Sequence, residues 1–480
     1  MSPPRAARVL RVEHGGIHYA YDPSGPCVLR LSPEAARLLS DGEYPDGRGS
    51  GARRARAEYL ALRQAGLLSR EPEVWSTQEV RKRAFAYTRW PVRGLQLFLA
   101  ERCNLRCAYC YVGRNHALAG AVMGKDVIRN AIELGLARLG PHRTLSINFF
   151  GGEPLLHWEG LQYAVATARR LARRDARRVT FSATTNGTLL DEDTVAYLAQ
   201  NRFRLTLSWD GPPSVQDRMR RGRGGRGSSE AVLEGYRAAK AAGIPITVRA
   251  TVSSACWDRS ALAAFFEELG ETNAYLVFSE PRCGRPGPSD VAPRHRHTLD
   301  RTEDALAQRV LESALADTKC INPFVGLWRG LMSRSVFHLP CGFGRSVAIV
   351  GVDGRIYPCH RFVGMDAYVI GDVRRGIDRA RLRDLIRQYF QVRSHCLRCP
   401  AAGRCGLECV WLYADDDGIM RPLPRWRCNM ARQSFARAIW LYAEMAQLAP
   451  AELAKRLGTR GASATAAATP AAPWRGSGTP

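Results

Sequence analysis

ERCNLRCAYCYVG (Glu101–Gly113) follows directly on GLQLFLA (Gly94–Ala100), a short apolar run that reads as a buried strand. The stretch places Cys103, Cys107 and Cys110 in the spacing C-x3-C-x2-C at the end of that strand. Three thiolates can bind three irons of a [4Fe–4S] cube and leave the fourth open. An open iron can chelate a small molecule that offers an amine and a carboxylate, as methionine does. A structural zinc ion normally takes four ligands in two close pairs, and no fourth ligand lies nearby. Tyr109 suits either a cluster neighbour or a core aromatic.

Outward from this stretch the rhythm is regular. LSINFF, VTFSATT, RLTLSW, ITVRATV and AYLVFS are further short apolar runs, with helical patterns such as WEGLQYAVATARRLARR and SEAVLEGYRAAKAAG between them. Strands alternating with helices mean βαβ units and a mostly parallel sheet. Right-handed crossovers would curl six such units, over residues 92–320, into a partial (β/α)6 barrel. The fold class expected is therefore α/β, with ligands at the carboxyl ends of the strands.

The strand ends carry distinctive residues. FFGGEP ends the second strand, and its Gly151 and Gly152 let backbone approach a ligand closely while Glu153 can accept hydrogen bonds from an ammonium. TTNGTLL, with Asn186, ends the third. SWDG, with Ser208 and Asp210, ends the fourth and runs into DGPPSVQDRMR, which contains Arg220. Taken together, the cysteine triad with its aromatic and the GGEP turn one βα unit later resemble the signature of radical S-adenosylmethionine (SAM) enzymes. The resemblance implies a [4Fe–4S] cluster on Cys103, Cys107 and Cys110, with SAM held by Gly151, Gly152, Glu153, Asn186, Ser208, Asp210 and Arg220. DGPPSVQDRMR is similar to the DGP-x-x-x-H-D-x-x-R stretch of peptide-modifying members, with Gln216 where His is common.

A second cysteine group lies in residues 335–445: Cys341, Cys359, Cys396, Cys399, Cys405, Cys409 and Cys428. Seven clustered thiols offer ligands for two clusters, or for one cluster and a zinc ion. The spacing resembles the SPASM domain that extends radical SAM enzymes acting on peptides and proteins. That resemblance implies an outer auxiliary cluster on Cys396, Cys399, Cys405 and Cys428, and an inner one on Cys341, Cys359 and Cys409. Ser335 stands where sulfatase-maturing relatives have a further cysteine, so the inner cluster keeps an open iron or is completed by Cys320 or Cys283. His360 stands where those relatives carry an Asp base, in a phrase, YPCHRFVG, closer to maturases of ribosomally made peptides. His360 is the candidate proton acceptor, or else a hydrogen-bonding neighbour of the cluster. Cys27 and Cys256 read as small buried hydrophobes.

Residues 1–85 read as an α+β module: RVLRVEHGGIHYAYDP alternates as paired strands do, and LSPEAARLLS opens with a Ser cap and Pro at the first helical position. Asp46 to Arg54 reads as a loop. Maturases of the resembling kind often carry a leader-peptide module here, which would work by adding a strand of peptide to a sheet edge. The tail, residues 457–480, is Ala/Pro/Gly/Ser-rich and expected to be disordered.

Fourteen cysteines without a secretory signal or a long apolar run point to a cytoplasmic protein that uses thiols as ligands. The net charge of +25 comes from 70 basic against 45 acidic residues and suits an acidic partner; an Arg-rich genome accounts for it equally well. The basic stretches Arg169–Arg178 and Arg218–Arg226 lack interleaved aromatics, which argues against nucleic acid.

The activity implied by the resemblance is reductive SAM cleavage to methionine and a 5′-deoxyadenosyl radical, which takes hydrogen from a precursor peptide and leads to a thioether or C–C cross-link. The partners implied are that peptide, with an acidic leader, and an electron donor such as flavodoxin or ferredoxin. The alternatives are maturation of a protein-derived cofactor, of the sulfatase or quinohaem dehydrogenase type, or a non-enzymatic iron–sulfur redox protein.

Overall fold

The computed structural model describes residues 10–21, 28–41, 49–64, 91–112, 120–254, 258–279, 296–324, 342–399 and 409–457, with short pieces between them that include 256, 326–328, 401 and 405. Cys27, Cys283, Ser335, Cys341 and the tail beyond Leu457 lie outside the described residues.

The chain opens with β1 (Leu10–His14), β2 (Ile17–Tyr21) and β3 (Val28–Leu31), an antiparallel sheet in that order. Gly15 and Gly16 both have positive φ, 57° and 75°, as a two-residue hairpin turn of this hand requires. Helix α1 (Pro33–Asp41) starts as its sequence predicts: Ser32 Oγ accepts from the Ala35 N–H at 3.2 Å. Helix α2 (Ser50–Gln64) begins inside the stretch expected to be a loop. Arg and Ala are good helix formers, and Arg54 pairs with Glu58 one turn later at 3.0 Å, so residues 50–54 join the helix.

The main sheet holds β4 (Gly94–Ala100), β6 (Thr144–Gly151), β7 (Arg178–Thr185), β8 (Arg204–Ser208), β10 (Ile246–Val252) and β11 (Ala274–Phe278), all parallel to their neighbours and in sequential order. These are the six runs read from the sequence. Their crossovers carry α3 (Lys125–Ala137), α4 (Trp158–Arg174), α5 (Glu192–Gln200), α6 (Pro213–Met219), α7 (Ser229–Ala241) and α8 (Arg259–Glu268). On one face Leu95, Leu97, Ile147, Phe149, Leu205 and Val248 are buried in the main apolar core. The alternate positions are polar: Gln96 donates to Asn148 and Asn148 to Ser182, each at 2.9 Å, and Thr206, Ser208, Thr247 and Arg249 continue that face across β8 and β10. Neighbouring strands therefore share one greasy face and one face fit for a polar ligand.

Two short strands, β5 (Leu105–Cys107) and β9 (Arg220–Gly222), pair antiparallel across the strand ends. Helix α9 (Arg296–Leu315) precedes the C-terminal region, in which β12 (Val347–Val350) adds to β4 in parallel and β13 (Ile356–Tyr357) follows as a hairpin. The main sheet is thus eight-stranded. A small ladder, β14 (Gly371–Asp372) with β15 (Gly376–Ile377), leads to α10 (Arg379–Val392), α11 (Arg425–Leu448) and α12 (Pro450–Leu457). Helix α11 also receives the N-terminal sheet, through Tyr21 on Phe435 and His14 on Trp440, ring centroids 5.6 and 5.2 Å apart. Among the described residues, no helix is long and apolar enough to cross a membrane.

Candidate active site

The cysteine loop is pinned from three sides. Its β5 segment pairs Cys107 with Arg220 and Leu105 with Gly222. Below it lies the GGEP turn. A Cβ on Gly151, whose φ is 144°, would meet Ala100 O at 2.3 Å, and one on Gly152 would meet Arg102 O at 2.5 Å. Only glycine fits there, and the amides of Gly152 and Glu153 donate to Ala100 O and Arg102 O at 2.7 and 3.0 Å. The close approach these glycines permit is to the cysteine loop's own backbone, a physical reason different from the one read in the sequence. On the third side Asn186 Nδ2 donates to Asn104 Oδ1 at 2.8 Å and reaches Cys103 Sγ at 3.9 Å.

Glu153 is fully buried. Its carboxylate accepts from Thr185 Oγ1 (2.8 Å), the Asn186 amide (2.7 Å) and the Leu155 amide (3.2 Å). Burial pushes its pKa up to about 7 against these stabilising donors. An ammonium would find one acceptor position left on this carboxylate. Asp210 is likewise buried and engaged: it takes the Thr251 amide at 2.8 Å, pairs with Arg220 Nε at 3.0 Å and accepts from Tyr109. Gln216, in the position where the resembling stretch has His, accepts from the Asp210 amide and donates to Ser228, both at 2.9 Å. Arg220 lies over the Tyr109 ring and points Nη1 at Cys107 Sγ, 3.9 Å away. Of the residues expected to contact SAM, Asp210 and Arg220 are thus bound to each other, while Asn186 and Ser208 lie on the polar face at the strand ends.

These residues fit an iron–sulfur cube. All described cysteines are free thiols. Cys103, Cys107 and Cys110 act on one another electrostatically, and burial pushes Cys103 up to about 11 and Cys107 up to about 12. Thiols so displaced ionise when iron supplies the compensating charge. The Leu105 amide (3.4 Å), Asn186 and Arg220 already aim N–H groups at two of the sulfurs, as bound thiolates require. Among the described residues no three ligand side chains converge on a single metal ion.

In the C-terminal region Cys396, Cys399 and Cys428 lie within electrostatic reach of one another, and Cys405 joins Cys396 and Cys428 around Tyr413. This is the outer set named from the sequence. Arg393, almost fully buried, stacks on Tyr389 at 4.7 Å beside them, and Arg432 bonds Cys399. Cys359 and Cys110 both act on Tyr111. Cys409 starts the short helix 410–413. Cys320 lies elsewhere, 3.3 Å from Arg456 on α12 and among Ser313 and Thr318 rather than cysteines. Cys256 is partly buried against the core. His360 faces Phe150 and Tyr111, ring centroids 5.1 and 5.8 Å away, and burial beside Arg249 and Arg361 holds its pKa well below the ordinary histidine value, so it is neutral at pH 7.

Sequence reading passed over Thr185, Asn104, Tyr111 and Arg249. Thr185 lies inside TTNGTLL, and Asn104 and Tyr111 inside ERCNLRCAYCYVG. Arg249 had a signal, being the one charge in the strand ITVRATV.

Residues 97–253 match the family model of the radical SAM superfamily. The cysteine-type anaerobic sulfatase-maturating enzyme of Clostridium perfringens (strain 13 / Type A) is 23% identical over 324 residues, 64% of this chain and 85% of the relative. GTP 3′,8-cyclase 2 of Mycobacterium bovis is 34% identical over 161 residues, 33% of this chain and 42% of the relative. The solved structure "Native anSMEcpe with bound AdoMet and Cp18Cys peptide" shares the fold with a TM-score of 0.60 at 20% identity, covering 72% of this chain and 97% of that one.

Proposed function

Starting from a chain that is a member of the radical SAM superfamily, and an enzyme, we propose that it is a maturase of a ribosomally made peptide. Its membership sets aside the reading as a non-enzymatic redox protein. The superfamily uses a [4Fe–4S] cluster and SAM, which together supply a 5′-deoxyadenosyl radical able to take hydrogen from an unactivated C–H bond. In this chain Cys103, Cys107 and Cys110 hold that cluster at the mouth of a partial (β/α)6 barrel, and Asn186 and Ser208 orient SAM on the polar face of the sheet.

One juxtaposition supports a peptide substrate best. Tyr111, next to Cys110, packs against His360, next to Cys359, with centroids 5.8 Å apart. The C-terminal cysteine region therefore closes over the strand ends, and the space between the two cysteine sets is where a side chain to be modified must enter. Neutral His360 accepts a proton there as the new bond forms. Cys396, Cys399, Cys405 and Cys428 hold an outer auxiliary cluster, and Cys341, Cys359 and Cys409 an inner one, in a SPASM domain over residues 335–445. The N-terminal sheet, with Leu10–His14 and Val28–Leu31 at its edges, takes the leader peptide, and the +25 net charge suits both an acidic leader and an acidic flavodoxin or ferredoxin in the cytoplasm.

The bond formed is a thioether or C–C cross-link. Maturation of a sulfatase is the second reading, favoured by the match to 85% of a sulfatase-maturating enzyme. His360 and Ser335 stand against it, where such enzymes resemble one another in Asp and Cys. The decisive experiment offers the anaerobically reconstituted enzyme a precursor peptide encoded beside it, with SAM and dithionite. A product two hydrogens lighter, with a linkage that survives reduction, supports the cross-link; 5′-deoxyadenosine with the peptide unchanged and a sulfatase activated sinks it.

A further inference from the structure

The two carboxylates at the strand ends have partners. Asp210 pairs with Arg220, and Glu153 takes three hydrogen bonds. Arg249, in the middle of β10, makes no ion pair or side-chain hydrogen bond among the described residues. Its register partners are Ser208 and Tyr275, so it stands on the polar face of the sheet at the height of the candidate SAM residues. Arg249 is partly buried, and a guanidinium that stands on this face without a carboxylate is open to an anionic ligand.

The groups around it point the same way. Tyr111 of the cysteine loop and Arg361 of the C-terminal region both lie within electrostatic reach of Arg249, as do Arg220 and Tyr109. Tyr111 Oη and His360 Nε2 are buried without a hydrogen-bond partner among the described residues. Phe150 at 5.1 Å from His360 and Trp411 at 6.2 Å from Tyr111 wall the space with rings. A guanidinium fork and a phenol O–H, both unused and both beside the His360 ring at one apolar-walled place, are the donor set for a carboxylate.

We propose that Arg249, Tyr111 and His360 form a carboxylate-recognition site that makes the enzyme select peptides with an Asp, Glu or free C-terminus next to the residue it modifies. This rests on the peptide-maturase reading above. We assign the carboxylate to the peptide because His360 and Arg361 of the C-terminal region complete the site; Ser208, a candidate SAM residue, is the register partner of Arg249, so SAM affinity is measured beside peptide retention.

The test uses the reconstituted holoenzyme with SAM and short peptide pools, acetylated and amidated, with a central Glu or Gln. Retention is read by mass spectrometry and SAM affinity by equilibrium dialysis. The wild type is expected to retain the Glu pool about tenfold over the Gln pool, the scale of a charge-assisted pair of hydrogen bonds. Arg249→Gln is expected to erase that preference, Arg249→Lys to restore part of it, and neither to change SAM affinity by more than about twofold. Melting temperature separates a structural role: Arg249 makes no ion pair or side-chain hydrogen bond among the described residues, so the Arg249→Gln protein is expected to stay as stable as the wild type. A drop of several degrees with loss of iron would overturn the proposal. Equal retention of both pools overturns it and leaves the maturase reading standing, whereas retention of neither pool removes both. An intact Glu preference in Arg249→Gln with weakened SAM binding gives the carboxylate to SAM and also overturns it.

Discussion

The two cysteine regions are built on opposite electrostatic plans. Around Cys103, Cys107 and Cys110 the structure spends two buried carboxylates, Glu153 and Asp210, and fixes each with hydrogen bonds from neighbouring strand ends. Acidic and basic groups stand side by side there, which suits a site that must orient a zwitterion. Around Cys396, Cys399 and Cys428 the neighbours that act on the thiols are Arg393, Arg427 and Arg432, with Tyr389 and Tyr413 stacked on Arg393. That surrounding is cationic and aromatic and offers no second polarity for a ligand. On the proposed reading, the difference separates the place where the radical is made from one that passes electrons.

The largest effect expected follows from that division. Cys103→Ala/Cys107→Ala/Cys110→Ala should remove 5′-deoxyadenosine formation altogether, with iron falling by about a third from roughly twelve per chain. The matching change at the other site, Cys396→Ala/Cys399→Ala, should abolish peptide product but keep 5′-deoxyadenosine formation within about tenfold of wild type, because the SAM-facing residues are untouched. Equal loss of 5′-deoxyadenosine in both variants, read by chromatography on reconstituted protein, would break the comparison.

A smaller effect tests the frame beneath the first site. Gly152→Ala puts a methyl group 2.5 Å from Arg102 O, which is backbone and has nowhere to go. Overpacking of this kind costs roughly 1–3 kcal/mol. The variant should melt lower and lose iron from the first site, as the cysteine loop lifts off the turn, with the C-terminal iron unchanged. Iron counts before and after gel filtration would show it.

Both regions were visible in the sequence, but to different depths. The six strands announced themselves because each is a short apolar run bounded by helix, and the register of β4, β6, β7, β8 and β10 then brings Cys103, Gly152, Asn186 and Ser208 to one end. What each residue does there was less legible. Glu153, Asp210 and Arg220 were named from the sequence as ligand contacts, but a sequence does not show that Thr185, Thr251 and Tyr109 also come round to engage them. The helix start at Ser50 was hidden by Gly47, Gly49 and Gly51 and the arginines among them, where the Ser32 amide, donating to the Glu58 carboxylate, adds long-range support that local propensity does not contain. In the C-terminal region the cysteine spacing was plain, yet Arg393, which lies beside those thiols, sits in a stretch with no motif.

The smallest effect is one of sign. Burial raises the Glu153 pKa to about 7 from 4.5, so the folded protein holds a proton that the unfolded chain has released. Stability contributed by that proton is complete below about pH 4.5 and is lost as pH rises to about 7, a span worth at most about 3.5 kcal/mol at about 1.4 kcal/mol per unit. Asp415, in the C-terminal region, behaves in the reverse way. Burial pushes it up, but the Ile419 and Asp417 amides and Arg421 outweigh that and hold it below the ordinary carboxylate value, so its contribution is present above its unfolded pKa and lost only in acid. Melting temperature measured from pH 5 to 8 should therefore decline by a few degrees in the wild type, flatten in Glu153→Gln, and keep the wild-type slope, at a lower level, in Asp415→Asn. If Glu153→Gln keeps the slope, the neutral-pH titration belongs to another group, and the contrast drawn between the paired carboxylates of the first site and the arginine-lined second one loses its thermodynamic half.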